Sequence, residues 1–83
     1  MAYILRVDGN IERMEGKPTL DELQQAVGGN IEYVPTAMGG YLYCNEEGKL
    51  MGLPANYPAT QMIDFPDIIV GDVVVMEEGD EEE

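Results

Sequence analysis

The side chains this sequence offers most freely for chemistry are carboxylates, 17 Asp and Glu against 4 Lys and Arg, with no histidine. Two of Glu46, Glu47, Asp64, Asp67 and Asp72 could serve as an acid and base pair, or several could hold a divalent cation. Their spacing argues otherwise. There is no Asp-x-Asp-x-Asp-Gly run, and these acids stand mostly at turn positions. Cys44 is the single cysteine, which excludes an internal disulfide and a multi-cysteine zinc site. With no histidine to take its proton, it reads as a small buried hydrophobe inside a strand. The pairs Gly28-Gly29 and Gly39-Gly40 lack the Lys-Ser/Thr that a phosphate loop requires. These residues yield no catalytic group, no metal ligand set and no cofactor, and the expectation is a protein that is not an enzyme.

Binding is the chemistry that remains. The run Asn45-Glu46-Glu47-Gly48-Lys49 is either a recognition loop, with Glu46 and Glu47 meeting a basic partner, or a solvated hairpin turn chosen for its geometry. Turn geometry explains Leu53-Pro54-Ala55-Asn56 less well. Asn56 can both donate and accept, so it can read a polar ligand or brace the corner before the next element, with Thr60 in the same network. Tyr33, Tyr41 and Tyr43 either pack across strands or present an aromatic face. The candidate binding residues are therefore Asn45, Glu46, Glu47, Lys49, Leu53, Pro54, Asn56 and Thr60.

The elements that must position them follow from local patterns. Met1–Val7 is β-prone and is followed by Asp8-Gly9, a hairpin signal, with Asn10–Glu15 as the returning strand. Thr19-Leu20-Asp21-Glu22 is a capping box. Leu20, Leu23, Ala26 and Val27 form one apolar stripe of the helix it opens, over about 19–27, and Gly28-Gly29 ends it. Asn30–Pro35 and Tyr41–Asn45 read as strands. Glu46-Glu47-Gly48 then reverses the chain, with Gly48 at a positive-φ position, and Lys49–Leu53 returns as a further strand. A short second helix is expected at about 59–63. Ile68–Met76 is the most β-prone run, and its β-branched residues place it near the sheet centre, with a bulge or bend at Gly71-Asp72. The fold class is α+β: a mainly antiparallel sheet of five to six strands with one amphipathic helix on a face. Residues 1–76 make a single domain, and 77–83 an acidic, mobile tail.

Size and charge bound what such a domain can bind. A chain of 83 residues buries only roughly 60% of its unfolded surface, so a homodimer or a bound partner would stabilise it. The net charge is −13, and the part before the tail is acidic as well. Arg6, Arg13, Lys17 and Lys49 are scattered, which argues against direct binding of nucleic acid or of an anionic membrane. Solubility alone accounts for such a surface; a basic protein partner is its functional reading. With no secretory leader pattern and no long apolar run, the sequence suggests a soluble cytoplasmic protein.

Three blocks carry a resemblance: Leu20-Asp-Glu-Leu-Gln-Gln-Ala-Val-Gly-Gly-Asn-Ile-Glu32, Asn45-Glu-Glu-Gly-Lys-Leu-Met-Gly-Leu-Pro-Ala-Asn56 and Ile69-Val-Gly-Asp72. In order and spacing they resemble a family of small domains of unknown function, met mostly in phages, prophages and mobile elements of bacteria. The resemblance spans about Met1 to Met76 and implies an intracellular accessory protein, phage-encoded and acting in the host cytoplasm, with no established activity. Tyr57-Pro58, the Gln61–Pro66 segment and the Glu-rich tail depart from the pattern. The leading expectation is a non-enzymatic protein that binds a host protein with a basic surface, in counter-defence or as a DNA-like decoy. The alternative is a dimeric small-ligand binder that sequesters a nucleotide signal around Asn56 and the tyrosines.

Overall fold

The computed structural model describes residues 2–77, so the expected tail lies outside the described residues except for Glu77. Five strands form one antiparallel sheet: β1 (Ala2–Leu5), β2 (Ile11–Arg13), β3 (Ile31–Pro35), β4 (Tyr41–Asn45) and β5 (Val73–Met76). Two helices accompany them, α1 (Leu20–Val27) and α2 (Tyr57–Thr60). The spatial order is β2-β1-β5-β4-β3. Two hairpins, β1–β2 and β3–β4, are thus joined only through β5, whose residues pair with β1 on one side and β4 on the other. The fold class is α+β, as expected.

The alternation of side chains splits the core into two clusters. Ile4, Val74 and Met76 point to one face and pack under Leu23 and Val27 of α1. Leu5, Leu42, Val73 and Val75 point to the other and pack under Ala59 of α2 and Ile69. Covered on both faces, Val73, Val74 and Val75 are essentially removed from water, each contributing about 2 kcal/mol of burial. That double cover is why the strand reads as continuous Val rather than as an alternation.

Helix α1 forms as its sequence dictates. The Thr19 side chain accepts from Glu22 N, the Glu22 carboxylate accepts from Thr19 N, and the left-handed Gly28 closes the C-terminus. Leu20, expected on the buried stripe, is instead 59% exposed, beyond the packed cluster. Helix α2 starts earlier than expected because Asn56 caps it and Pro58 sits in its first turn, where a missing N–H is harmless.

The expected strand at Lys49–Leu53 does not form. Both sides of β4 are already taken, by β3 and by β5, so no place is left for a returning strand. The chain instead winds through consecutive turns, with Gly48 N donating to Asn45 O, Met51 N to Glu47 O and Leu53 N to Gly48 O. Gly48 does not take a positive φ either. Its constraint is space: a Cβ there would lie 2.8 Å from Val70 Cγ2. Ile68–Val70 also stays out of the sheet apart from one bridge, Ala55 to Val70, because Gly71 at φ 78° bends the chain before β5 begins.

Candidate functional site

The Leu53–Asn56 corner is a junction of main chains. Asn56 is fully buried. Its Nδ2 donates to Leu5 O at 3.0 Å and to Gly71 O at 2.9 Å, while Oδ1 accepts from Ala59 N at 3.1 Å. Its backbone N–H reaches Ile69 O at 2.7 Å, and its carbonyl accepts from Thr60 Oγ1 at 2.8 Å. Thr60 Oγ1 in turn accepts from Ile69 N at 2.9 Å. Pro54 O receives Gly71 N at 2.8 Å, and Leu53 fills the space that a side chain at residue 71 would need. So Leu53, Pro54, Asn56 and Thr60 are brought together, and what they hold is the approach to β5. Both donors of the Asn56 amide are spent on backbone.

Asn45 plays a similar part at the C-terminal end of β4. It is buried, donates from Nδ2 to Val27 O at 3.1 Å, and accepts from Glu47 N at 2.8 Å. One amide therefore ties the end of α1 to the turn that carries Glu46 and Glu47. Gly29 leaves room for it, since a Cβ there would meet Asn45 Nδ2 at 3.0 Å.

Glu46 and Lys49 face a different place, a groove of about 130 Å³ on the α2 side of the β3–β4 hairpin. Val34, Cys44 and Ile68 line it with apolar surface, and Glu32, Glu46 and Asp67 supply carboxylates. Lys49 Nζ is ion-paired with Asp67, whose carboxyl is held below its ordinary range by that bond and then by the Ile68 N–H. The wall ends in exposed apolar side chains, Leu50 at 90% and Ile68 at 51%. Burial pushes the Cys44 thiol up to about 11, with Glu32 and Asp67 adding to the effect. It stays protonated at neutral pH and acts as floor, not as nucleophile.

Two of the four cations are thus engaged by the protein's own acids and line different cavities. Arg6, above the Leu53–Pro54 corner, bonds to Asp72 at 2.8 Å and Glu12 at 2.6 Å. The tyrosines gather on the opposite side of the hairpin, with Tyr33 and Tyr41 ring centroids 4.8 Å apart and Tyr41 and Tyr43 5.3 Å apart. Among the described residues no group of three or more Cys, Asp or Glu side chains is placed to hold a metal ion, and no helix is long and apolar enough to cross a membrane.

A family model described as a domain of unknown function, DUF3846, matches residues 1–83. The chain belongs to that family. No match to this DUF3846 domain was found among curated proteins or among solved structures. Sequence reasoning about it missed Glu32, Asp67 and Ile68 as neighbours of Glu46 and Lys49. They come from distant segments, and the one available signal was the irregular Pro66-Asp67-Ile68, apolar yet placed ahead of the last strand.

Proposed function

We propose that this DUF3846 domain is a non-enzymatic accessory protein that binds a host protein presenting a basic surface, and that the groove beside Glu32, Glu46 and Asp67 is where contact is made. The observation that carries the reading is the combination of an apolar floor, exposed Leu50 and Ile68, and a net acidic mouth. Apolar area supplies affinity, and the charge steers and selects a cationic partner. With Arg6 and Lys49 tied to the chain's own acids, the outward field is negative. A nucleic-acid-binding enzyme is the natural class of target, with the domain standing in for the polyanion. The three-block resemblance supports an origin in a phage or mobile element, action in the host cytoplasm and a use in counter-defence.

The alternative, a sponge for a nucleotide signal, draws less support from the geometry. Asn56 is consumed internally, and Arg6 and Lys49 line different cavities.

Capture from a lysate of the source cells, read by native mass spectrometry, tests both. A stoichiometric protein complex that dissociates as salt rises is the expected result. Recovery of the chain alone, or with a bound small molecule instead of a protein, overturns the reading.

A further inference from the structure

Among the described residues strand β3 ends the sheet, and no strand pairs with the outer row of its backbone groups. In antiparallel pairing, alternate residues point N–H and C=O at the partner strand and the others point them away. Glu46 N donates to Asn30 O at 2.8 Å and Thr36 N to Gly40 O at 3.3 Å. With the register Glu32 to Cys44 and Val34 to Leu42, this turns Asn30, Glu32, Val34 and Thr36 toward β4. Ile31 and Tyr33 therefore direct both groups outward, and Pro35 its carbonyl. Pro35 occupies an outward position, where the missing N–H costs the β3–β4 ladder nothing. Among the described residues no strand lies beyond β3. Ahead of Pro35 the edge has neither a bulge nor a lysine to discourage pairing, and Tyr33 on it is 58% exposed.

The surroundings fit one kind of segment. Side chains of an added strand would alternate between the two faces. Those beside Glu32 would point to the α2 side, where Glu32, Glu46 and Asp67 outnumber Lys49. Those beside Tyr33 would lie along the tyrosine cluster, whose rings accept apolar groups and cations alike. A second copy of the chain suits the edge poorly. Its charge of −13 opposes approach, and pairing β3 with itself about Tyr33 sets Pro35 against Ile31 with a donor missing.

We infer that the outer edge of β3 accepts an extended segment of a partner protein as a sixth strand, one in which Lys or Arg alternates with apolar residues. Main-chain bonds to Ile31 and Tyr33 hold the segment, and the groove-mouth carboxylates select its charge. This rests on the basic-partner reading above and adds where the partner lies and in what conformation.

The test adds a capped peptide of alternating lysine and valine to the full chain at low ionic strength, with alternating glutamate and valine as control. Amide hydrogen exchange is followed by NMR. Exchange at Ile31 and Tyr33 is expected to slow by on the order of tenfold with the basic peptide and not with the acidic one. Tyr33→Pro removes an outward donor that β4 does not use, so the Val73–Met76 amide signals should persist while peptide affinity falls about tenfold. Tyr33→Ala, which keeps the donor, should retain affinity within about threefold. Binding without protection at Ile31 and Tyr33, or equal binding by Tyr33→Pro, overturns strand addition. So does absence of binding. In each of these cases, capture of a protein partner by Tyr33→Pro as well as by the unaltered chain leaves the basic-partner reading standing. Self-association that Tyr33→Pro abolishes would name a second copy as the occupant and overturn the inference.

Discussion

Asn56 donates to Leu5 and Gly71 and accepts from Ala59, so truncating it removes three buried hydrogen bonds to the backbone. Asn56→Ala is expected to cost about 3 kcal/mol, seen as a lower urea midpoint with unchanged slope. Asn56→Asp should cost more, because a carboxylate cannot donate and would face two carbonyl oxygens. An Asp variant as stable as the unaltered chain would show that this network is not what holds the corner. Cys44 gives a second residue-scale expectation. Its thiol is raised from 9.0 to about 11, first by burial and then by Glu32 and Asp67. Between those values the unfolded chain has lost the proton and the folded chain keeps it, so stability is full below about pH 9 and falls toward 11. The Tyr3 hydroxyl, raised by burial and by Glu77, acts in the same direction. Cys44→Ala should flatten the decline across that window, and alkylation of native Cys44 at about pH 8 should run roughly a hundredfold slower than in denaturant. That Cys44 is a buried hydrophobe was legible, since no histidine stands ready to activate it. For Asn56 the sequence left ligand reading and bracing open, and its buried bonds to Leu5, Gly71 and Ala59 favour bracing. That Glu32, Glu46 and Asp67 share one groove was not, because their adjacency depends on how the 66–70 segment crosses the hairpin.

At the scale of elements, local signals and sheet topology fared differently in the sequence. The capping box and apolar spacing of α1 involve residues within a few positions of one another, and the helix formed where they stand. The fate of Lys49–Leu53 was decided by β5, which occupies the side of β4 that a returning strand would need. No window around Gly48 contains that information. The same topology changes what Gly48 is for. Gly48→Ala should destabilise by about 1–3 kcal/mol, because Val70 and the Asn45 carbonyl leave no room for a methyl group. In a double-mutant cycle Val70→Ala should recover part of that loss, whereas Gly52→Ala, strained through its φ of 73° with open space around it, should show no coupling to Val70. Additivity at Gly48 and Val70 would remove close approach as the explanation.

For the molecule as a whole, like charge opposes compactness. The Arg6–Glu12 and Lys49–Asp67 pairs are exposed and the Arg6–Asp72 pair is only part-buried, so screening them loses little, while screening the excess of acids relieves repulsion throughout the surface. The melting temperature is therefore expected to rise as ionic strength goes from roughly 0.01 to 0.15 M. A fall would mean that the pairs outweigh the repulsion. The position of β5 bears on how the molecule comes to exist at all. During synthesis the β1–β2 and β3–β4 hairpins emerge first, yet each meets the other only across Val73–Met76. Until that strand clears the ribosome, the nascent chain holds two hairpins with open inner edges and no common core. Folding must then close contacts between the first strand and the last, which makes it slow for its size. A released chain truncated before Val73 should remain fully sensitive to protease, and the restoration of Val73–Met76 should confer resistance in a single step.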